Sequence, residues 1–394
     1  MNETRILDHT LHGLITIRLM DAPPSAVREL EFLLGPSVGR PAEQPDITII
    51  YAGGLSSGGG LRHIGLNESA FDTQRFFLLN ERGRGATFDF ERLGEPCTFV
   101  CEPGGSVFPY LLPVISLRLL RKGYVMLHAA SFVYEGTGVL VTGWQKGGKT
   151  ETLLGFMAAG AQYLADEWTI LSPAEGKMWG IPGTLQIWDW HLRHLPEYWA
   201  RLRPAERARL RLLRLYQRAY RYVPRGWRGR GPGGQWLERL SLDGGNALVG
   251  QVRSAPGRLF GEQVRQGPAP IDVVFLAGVG AAVHLAPVTP AEIARRMVAS
   301  LAFERRALLA RYEQFRFAFP NRRNELLESA RKLELEYLGQ ALRGRPAYEI
   351  VHPYPVPLHA LYEACAPALP REHGAQRQDA VAVHSNTVTS AQIA

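Results

Sequence analysis

The chain has 394 residues, 46% hydrophobic and 21% charged, an ordinary globular composition with room for two domains or for one domain carrying a large insertion. No run approaches the ~20 uninterrupted apolar residues of a membrane span, and Met1-Asn2-Glu3-Thr4-Arg5 lacks the basic-then-apolar layout of a secretory signal; the expectation is a cytoplasmic protein with no membrane partner. The net charge of +8 belongs to one segment: residues 201–230 hold eleven arginines and one acid, Glu206, which leaves the other 364 residues at −2.

Residues 1–104 read as an N-terminal α/β domain. The alternation in Leu14–Leu19 and Ile47–Tyr51 predicts strands, with a short helix over Ser25–Leu34 between them. Three short runs, Arg75–Asn80, Gly85–Phe90 and Thr98–Cys101, predict a meander. Cys97 and Cys101 share one face of an extended segment and have no further Cys or His at metal-ligand spacing, so they read as buried thiols. Phe108–Gly123 predicts an apolar helix with a basic C-terminus (Arg118, Arg121, Lys122) and glycine as its stop.

From Tyr124 the pattern becomes strand, strand, glycine loop, helix, strand. Gly143-Trp144-Gln145-Lys146-Gly147-Gly148-Lys149-Thr150 spells G-x-x-x-x-G-K-T, preceded by the apolar run Gly138–Thr142 and followed by a helical run from Glu151 to Ala159. A strand feeding a glycine loop that opens a helix is the context in which this motif binds phosphate, because loop N–H groups and the positive helix end face the anion. The candidate nucleotide-contacting positions are Gly143, Lys146, Gly147, Gly148, Lys149, Thr150 and Glu151. Lys149 is expected to reach the β and γ phosphates and the Thr150 hydroxyl to hold Mg²⁺. Lys146 could touch phosphate or face water.

Two further elements stand at fixed distances. His128 lies on the preceding strand, fifteen residues before Gly143, and the pair Asp166-Glu167 ends the next strand, sixteen residues after Thr150. One carboxylate there can hold Mg²⁺, directly or through water, while the other takes a proton from an attacking hydroxyl. From position alone His128 reads equally as a satisfied core histidine, and Glu167 as a solvated acid.

Downstream, 201–224 predicts a helix with an apolar stripe (Leu210, Leu213, Tyr216, Tyr220), followed by a Gly/Arg/Pro loop over 224–234. Strands are expected at Ile271–Leu276, Val283–Pro287 and Tyr348–Val351, helices at Pro290–Tyr312 and Asn324–Leu342, and a disordered tail over 371–394. Three readings of the arginine segment stay open: a solvated helix face, a dock for an acidic or phosphorylated acceptor, and contact with nucleic-acid phosphates.

Leu127-His128-Ala129-Ala130, Gly138–Gly143, Gly148–Thr152, Gly160 and Leu164-Ala165-Asp166-Glu167 together resemble the catalytic core of HPr kinase/phosphorylase, whose wider group shares the fold of ATP-dependent phosphoenolpyruvate carboxykinase. The resemblance covers about residues 105–185. It implies an α/β fold in which a P-loop kinase core over 105–370 follows the smaller N-terminal domain and carries a basic helical insertion at 201–234. It also implies ATP and Mg²⁺ as cofactors, Thr150 and Asp166 at the metal, and Lys149, His128, Asp166 and Glu167 in catalysis, with either Asp166 or Glu167 as the base. Glu167 stands where the family has a second aspartate, and the downstream glycine-rich signature has only Arg253–Gly261 as a counterpart. The function so implied is transfer of the γ-phosphate of ATP to a hydroxyl of a protein, a peptide or a small molecule; the alternatives are an ATP-binding regulatory protein without transfer and a kinase acting on nucleic acid. An oligomer is compatible with all of them.

Overall fold

Two mixed sheets and a two-stranded ribbon organise the chain, whose computed structural model describes residues 4–55, 60–65, 68–80, 85–220 and 250–370. The 224–234 loop, the last part of the arginine segment and the 371–394 tail lie outside the described residues. Among the described residues no helix is long and apolar enough to cross a membrane. The protein is mixed α/β.

The first sheet contains β1 (Ile6–Leu11), β2 (Ile15–Met20), β3 (Ile47–Tyr51), β4 (Arg62–Ile64), β5 (Ser69–Phe71), β6 (Phe76–Leu79), β7 (Gly85–Thr87) and β8 (Cys97–Cys101), in the order β1-β2-β3-β8-β7-β6-β5-β4. Helix α1 (Pro24–Leu34) makes the crossover between the parallel pair β2 and β3, with proline in its first turn where no donor is lost. Both Cys97 and Cys101 are buried free thiols of β8. Helix α2 (Phe108–Arg121) follows, and its basic end has a defined partner. Asp46 accepts from Arg118 Nε at 2.8 Å, from Lys122 Nζ at 2.7 Å and from the Thr16 N–H at 2.9 Å. Burial pushes the Asp46 carboxyl up, and these bonds more than offset it, so its pKa is lowered.

The second sheet is built from β9 (Val125–Tyr134), β10 (Thr137–Gly143), β11 (Gln162–Ala165), β12 (Trp168–Ser172), β13 (Lys177–Gly180), β16 (Ala269–Pro270), β17 (Val273–Val279), β18 (His284–Pro287) and β19 (Ala347–His352), while β14 (Leu185–Trp188) and β15 (Gln251–Ser254) form the ribbon. Val125–Tyr134 form one strand, β9, antiparallel to β10, β11 and β12; β10, β17 and β19 run parallel. The helices of this half are α3 (Lys149–Ala158), α4 (Asp189–His194), α5 (Pro196–Trp199), α6 (Pro204–Tyr220), α7 (Pro256–Phe260), α8 (Pro290–Glu304), α9 (Arg306–Ala318), α10 (Glu325–Ala341) and α11 (Leu358–Cys365). One apolar core joins the sheet to α3 and α11 through Val139, Phe156, Phe275 and Leu361; another joins it to α8 and the end of α10 through Leu140, Val274, Met297 and Leu338.

Two departures from the sequence expectations have physical causes. The run expected as a single helix over 290–312 breaks at Arg305, whose buried guanidinium bonds the buried Glu334 of α10 (Nη2 to Oε2 2.9 Å). The N-terminal sheet also has no core of its own: Ile17, Leu30, Ile49 and Phe99 share one cluster with Leu111 and Leu117 of α2, Leu308 and Phe315 of α9, and Leu327 of α10. Asn324 ties this junction together. It caps α10 by accepting from the Leu327 N–H at 2.7 Å, and its amide donates to the carbonyls of Phe90, Glu91 and Leu93.

Removing one partner of a buried pair leaves the other charge uncompensated. Glu334→Ala is therefore expected to lower stability by about 3–5 kcal/mol, whereas Lys177→Ala, which breaks an exposed pair with Glu175, is expected to cost less than about 1 kcal/mol. Urea midpoints of the two variants check this, and equal midpoints would refute it.

Candidate active site

Strand directions assemble the site. Gly143 of β10 is in register with Ala277 of β17, and Val279 of β17 with His352 of β19, so the glycine loop rests on the carboxyl ends of three parallel strands. His128 reaches the same place by the opposite route. It is the fourth residue of β9, which runs antiparallel to β10 with Ala129 beside Thr142, so the beginning of β9 lies next to the end of β10. On its other edge β9 pairs with β11 and β12. A bulge between Tyr163 and Ala165 precedes the Asp166-Glu167 turn, where β9 changes partner from β11 to β12 and the Ala129 N–H donates to the Glu167 carbonyl at 3.1 Å.

The loop backbone is set by close approaches. Gly143 has φ 148° and a Cβ there would lie 2.4 Å from the Ala277 carbonyl oxygen; Gly148 has φ 102° and a Cβ there would lie 1.7 Å from His352 Nε2. Only glycine fits either position. Lys149 and Thr150 open α3. Lys149 is buried, and its Nζ donates to the Trp144 carbonyl at 3.0 Å and reaches the Gly143 carbonyl at 3.5 Å. Burial pushes its pKa down while the acids around it pull the other way, and the net shift is downward. Lys146 is exposed at the loop tip with φ 59°.

Asp166 is only 3% exposed, and neither of its carboxylate oxygens has a hydrogen-bond partner. Desolvation, then repulsion from Glu167, pushes its pKa up to about 8; the neighbouring Thr150 hydroxyl eases this. A buried oxygen donor without a partner, beside a threonine hydroxyl at an anion-binding loop, suits a hard divalent cation that takes its other ligands from phosphate and water. Thr150 and Asp166 therefore fit Mg²⁺. Among the described residues there is no cluster of three or more His, Cys, Asp or Glu that would hold a metal without phosphate.

His128 lies between two carboxylates. Its Nε2 is 3.2 Å from Glu167 Oε2, its Nδ1 is 2.8 Å from Glu304 Oε1, and its ring stacks on Trp168 at 5.2 Å. Burial pushes the imidazole down, but the two carboxylates more than offset it, so His128 holds its proton above its ordinary 6.5. Glu304 also accepts from Gln145 Nε2 of the loop at 2.8 Å, which connects loop and histidine through one carboxylate. Glu304 was not legible in the sequence. It ends α8 inside a run that reads as continuous helix, and the Arg305 break that aims it depends on Glu334, 29 residues away.

The structure thus brings together Lys149, Thr150, Asp166, Glu167 and His128. Comparisons of the chain with protein-family models and with curated proteins find no match. Glu151 has a separate environment: the Nε2–H of His191 on α4 donates to its buried carboxylate at 3.1 Å, and His191 Nδ1 accepts from the Trp188 N–H at 3.1 Å. Of Glu151, the helix-end backbone is what remains to face phosphate. Four of the seven described arginines of the basic segment contact the protein itself. Arg201 donates to the Leu259 carbonyl, Arg203 pairs with Glu206, Arg209 donates to the Gln251 carbonyl, and Arg214 pairs with Asp189 over the Trp199 ring.

Two outcomes follow from this geometry. Because Asp166 titrates near 8 when folded and near 3.8 otherwise, the folded metal-free protein binds more protons across that window and loses stability as pH rises through it. Asp166→Asn should remove that loss and melt above wild type at pH 8.5, with the gap closing toward pH 4; identical melting at pH 8.5 would show that the carboxylate is not desolvated. Separately, Gly148→Ala should abolish binding of a fluorescent ATP analogue, and His352→Ala in the same chain should restore part of it, since one of the two obstacles is the imidazole. Undiminished binding by the single variant would overturn the close-approach argument.

Proposed function

We propose that the protein is an ATP-dependent phosphotransferase whose second sheet is a P-loop core of the HPr-kinase/carboxykinase type, moving the γ-phosphate of ATP to a hydroxyl acceptor. The observation that carries the reading is the buried, unpartnered Asp166 carboxylate. It lies beside Thr150 at the glycine loop, and a pocket of about 190 Å³ is lined by Asp166 and Glu167 together. A site for a switch or a motor needs no such chamber behind its metal ligand; a site that moves phosphate to a second substrate does.

The roles divide by exposure. Asp166, at 3%, holds the metal with Thr150, and Glu167, whose side chain is 46% exposed, takes the proton of an incoming hydroxyl. The difference in exposure supports Glu167 as the base. Bound Mg²⁺ would neutralise charge on the β and γ phosphates. Lys149 exchanges its bonds to the Trp144 and Gly143 carbonyls for phosphate oxygens, and imidazolium His128, held by Glu304, orients Glu167 and adds positive charge beside the transferring group. The acceptor oxygen bonds to the γ-phosphorus, the bond from that phosphorus to the β–γ bridging oxygen breaks, and ADP leaves with the electron pair. The proton passes to Glu167 and from there to solvent.

Transfer from γ-labelled ATP tests the assignment across a panel of hydroxyl acceptors. Lys149→Ala and Asp166→Asn are expected to lower kcat/KM by about 10²–10³-fold and Glu167→Gln by about 10²-fold or more. Wild-type protein that binds ATP but transfers to no acceptor, with variants that behave alike, would sink the kinase reading in favour of nucleotide binding without transfer.

A further inference from the structure

The pocket behind Asp166 and Glu167 has walls from both halves of the molecule. Phe32 and Leu33, at the C-terminal end of α1, supply one wall; Trp168, Ile181 and Leu185 supply apolar surface opposite; Thr184 and Gln186 supply polar edges. Backbone contacts hold the walls at a fixed distance. The Thr184 N–H donates to the Phe32 carbonyl at 3.2 Å, a Cβ on Gly35 would lie 1.9 Å from the Pro182 carbonyl oxygen, and a Cβ on Gly183 would lie 2.6 Å from that of Leu33. No side chain larger than hydrogen fits either seam, so α1 is clamped to the segment that leads into β14.

The chamber's charge pattern is uneven. Its floor is acidic, with Asp166 and Glu167, and its body is apolar. Next to the chamber, the Arg253 guanidinium lies over the ring of the lining Phe32 at 5.4 Å, and Arg253 is directly opposite the lining Gln186 in the β14–β15 ribbon, so the two side chains emerge on one face. Arg253 is exposed and has no ion pair among the described residues. Phe32 is 44% exposed, so the edge of its ring outside the Arg253 contact is open to a ligand.

Resting on the phosphotransferase reading above, we infer that this chamber is the acceptor site, and that Phe32, Leu33 and Arg253 select an acceptor in which the reacting hydroxyl adjoins one apolar group of side-chain size and a carboxylate. The hydroxyl meets Glu167 at the floor, the apolar group fills the space between Phe32 and Leu185, and the carboxylate pairs with Arg253 at the rim. The N-terminal sheet thereby acquires a function: it presents α1 as the specificity wall of a site whose chemistry belongs to the other sheet. The volume, about 190 Å³, falls below the ~300 Å³ at which drug-sized ligand pockets begin, and fits one residue of a peptide or a small hydroxy acid.

The full chain, with Mg²⁺ and γ-labelled ATP, is assayed on acetylated pentapeptides carrying one serine, preceded by leucine or glycine and followed by aspartate or asparagine, and on small hydroxy acids beside the matched alcohols. Wild type is expected to prefer leucine over glycine and aspartate over asparagine by about 10-fold each in kcat/KM, or hydroxy acids over alcohols by a similar factor; which arm responds identifies the source. Phe32→Ala should raise KM and erase the leucine preference, and Arg253→Gln should erase the carboxylate preference, both with ATP affinity and kcat at saturation nearly unchanged. Thr184→Tyr, which fills the chamber without removing core, should abolish transfer while ATP still binds. Preferences that survive Phe32→Ala and Arg253→Gln, in proteins melting as wild type does, overturn the acceptor assignment and leave the kinase reading standing. Absence of transfer to every probe, with ATP bound, overturns both.

Discussion

The burial of Asp166 without a hydrogen-bond partner is the constraint around which the second sheet is arranged. A carboxylate deprived of water is costly unless a ligand compensates it, and every neighbouring device brings such a ligand within reach: the β11 bulge that turns the residue inward, the Thr150 hydroxyl across from it, and the glycine loop on the ends of β10, β17 and β19. Glu167, one residue on, has the opposite environment. Two adjacent acids are thereby separated in character, one desolvated and the other open to solvent and paired with His128, and under the proposed function this separation would divide metal holding from proton transfer.

A second arrangement supports the first. Glu304 joins His128 to Gln145 of the loop, and Glu304 is where it is because the helix carrying it stops at Arg305. The stop is secured by a buried ion pair with Glu334 on α10, the same helix whose N-cap Asn324 fastens the segment around Phe90 in the first sheet. Rigid elements far from the chemistry thus aim a side chain that touches it.

Local signals in the sequence recovered what local physics determines. The alternation of Ile47–Tyr51, the apolar run before Gly143 and the loop motif itself correspond to β3, β10 and the start of α3. Lys149, Thr150, Asp166, Glu167 and His128 are brought to one place, and His128 gets there because β9 runs antiparallel to β10. What depends on residues far apart in the chain was not legible. Glu304 and His191 acquire their roles from partners 176 and 40 residues away. The Arg305 break has no Gly or Pro to announce it, and the seam of Gly35 and Gly183 against opposing carbonyls exists only once both halves are folded. The engagements of Arg201, Arg209 and Arg214, with two backbone carbonyls, a carboxylate and an aromatic face, leave no trace in local composition.

The shared core has a consequence for how the molecule comes into being. Strands β1–β8 and α1 leave the ribosome first, yet the surfaces of Leu308, Phe315, Leu327 and Ala330 that complete their cluster are made only after the whole second sheet except β19. During synthesis the early sheet must wait with apolar surface uncovered, held together by its own strand pairing and by α2, while the glycine loop emerges between it and its cover. Closure of the first half and placement of Glu304 beside His128 are then late events that both depend on the helices flanking Arg305, so a nascent chain acquires its finished site only as its N-terminal half is sealed.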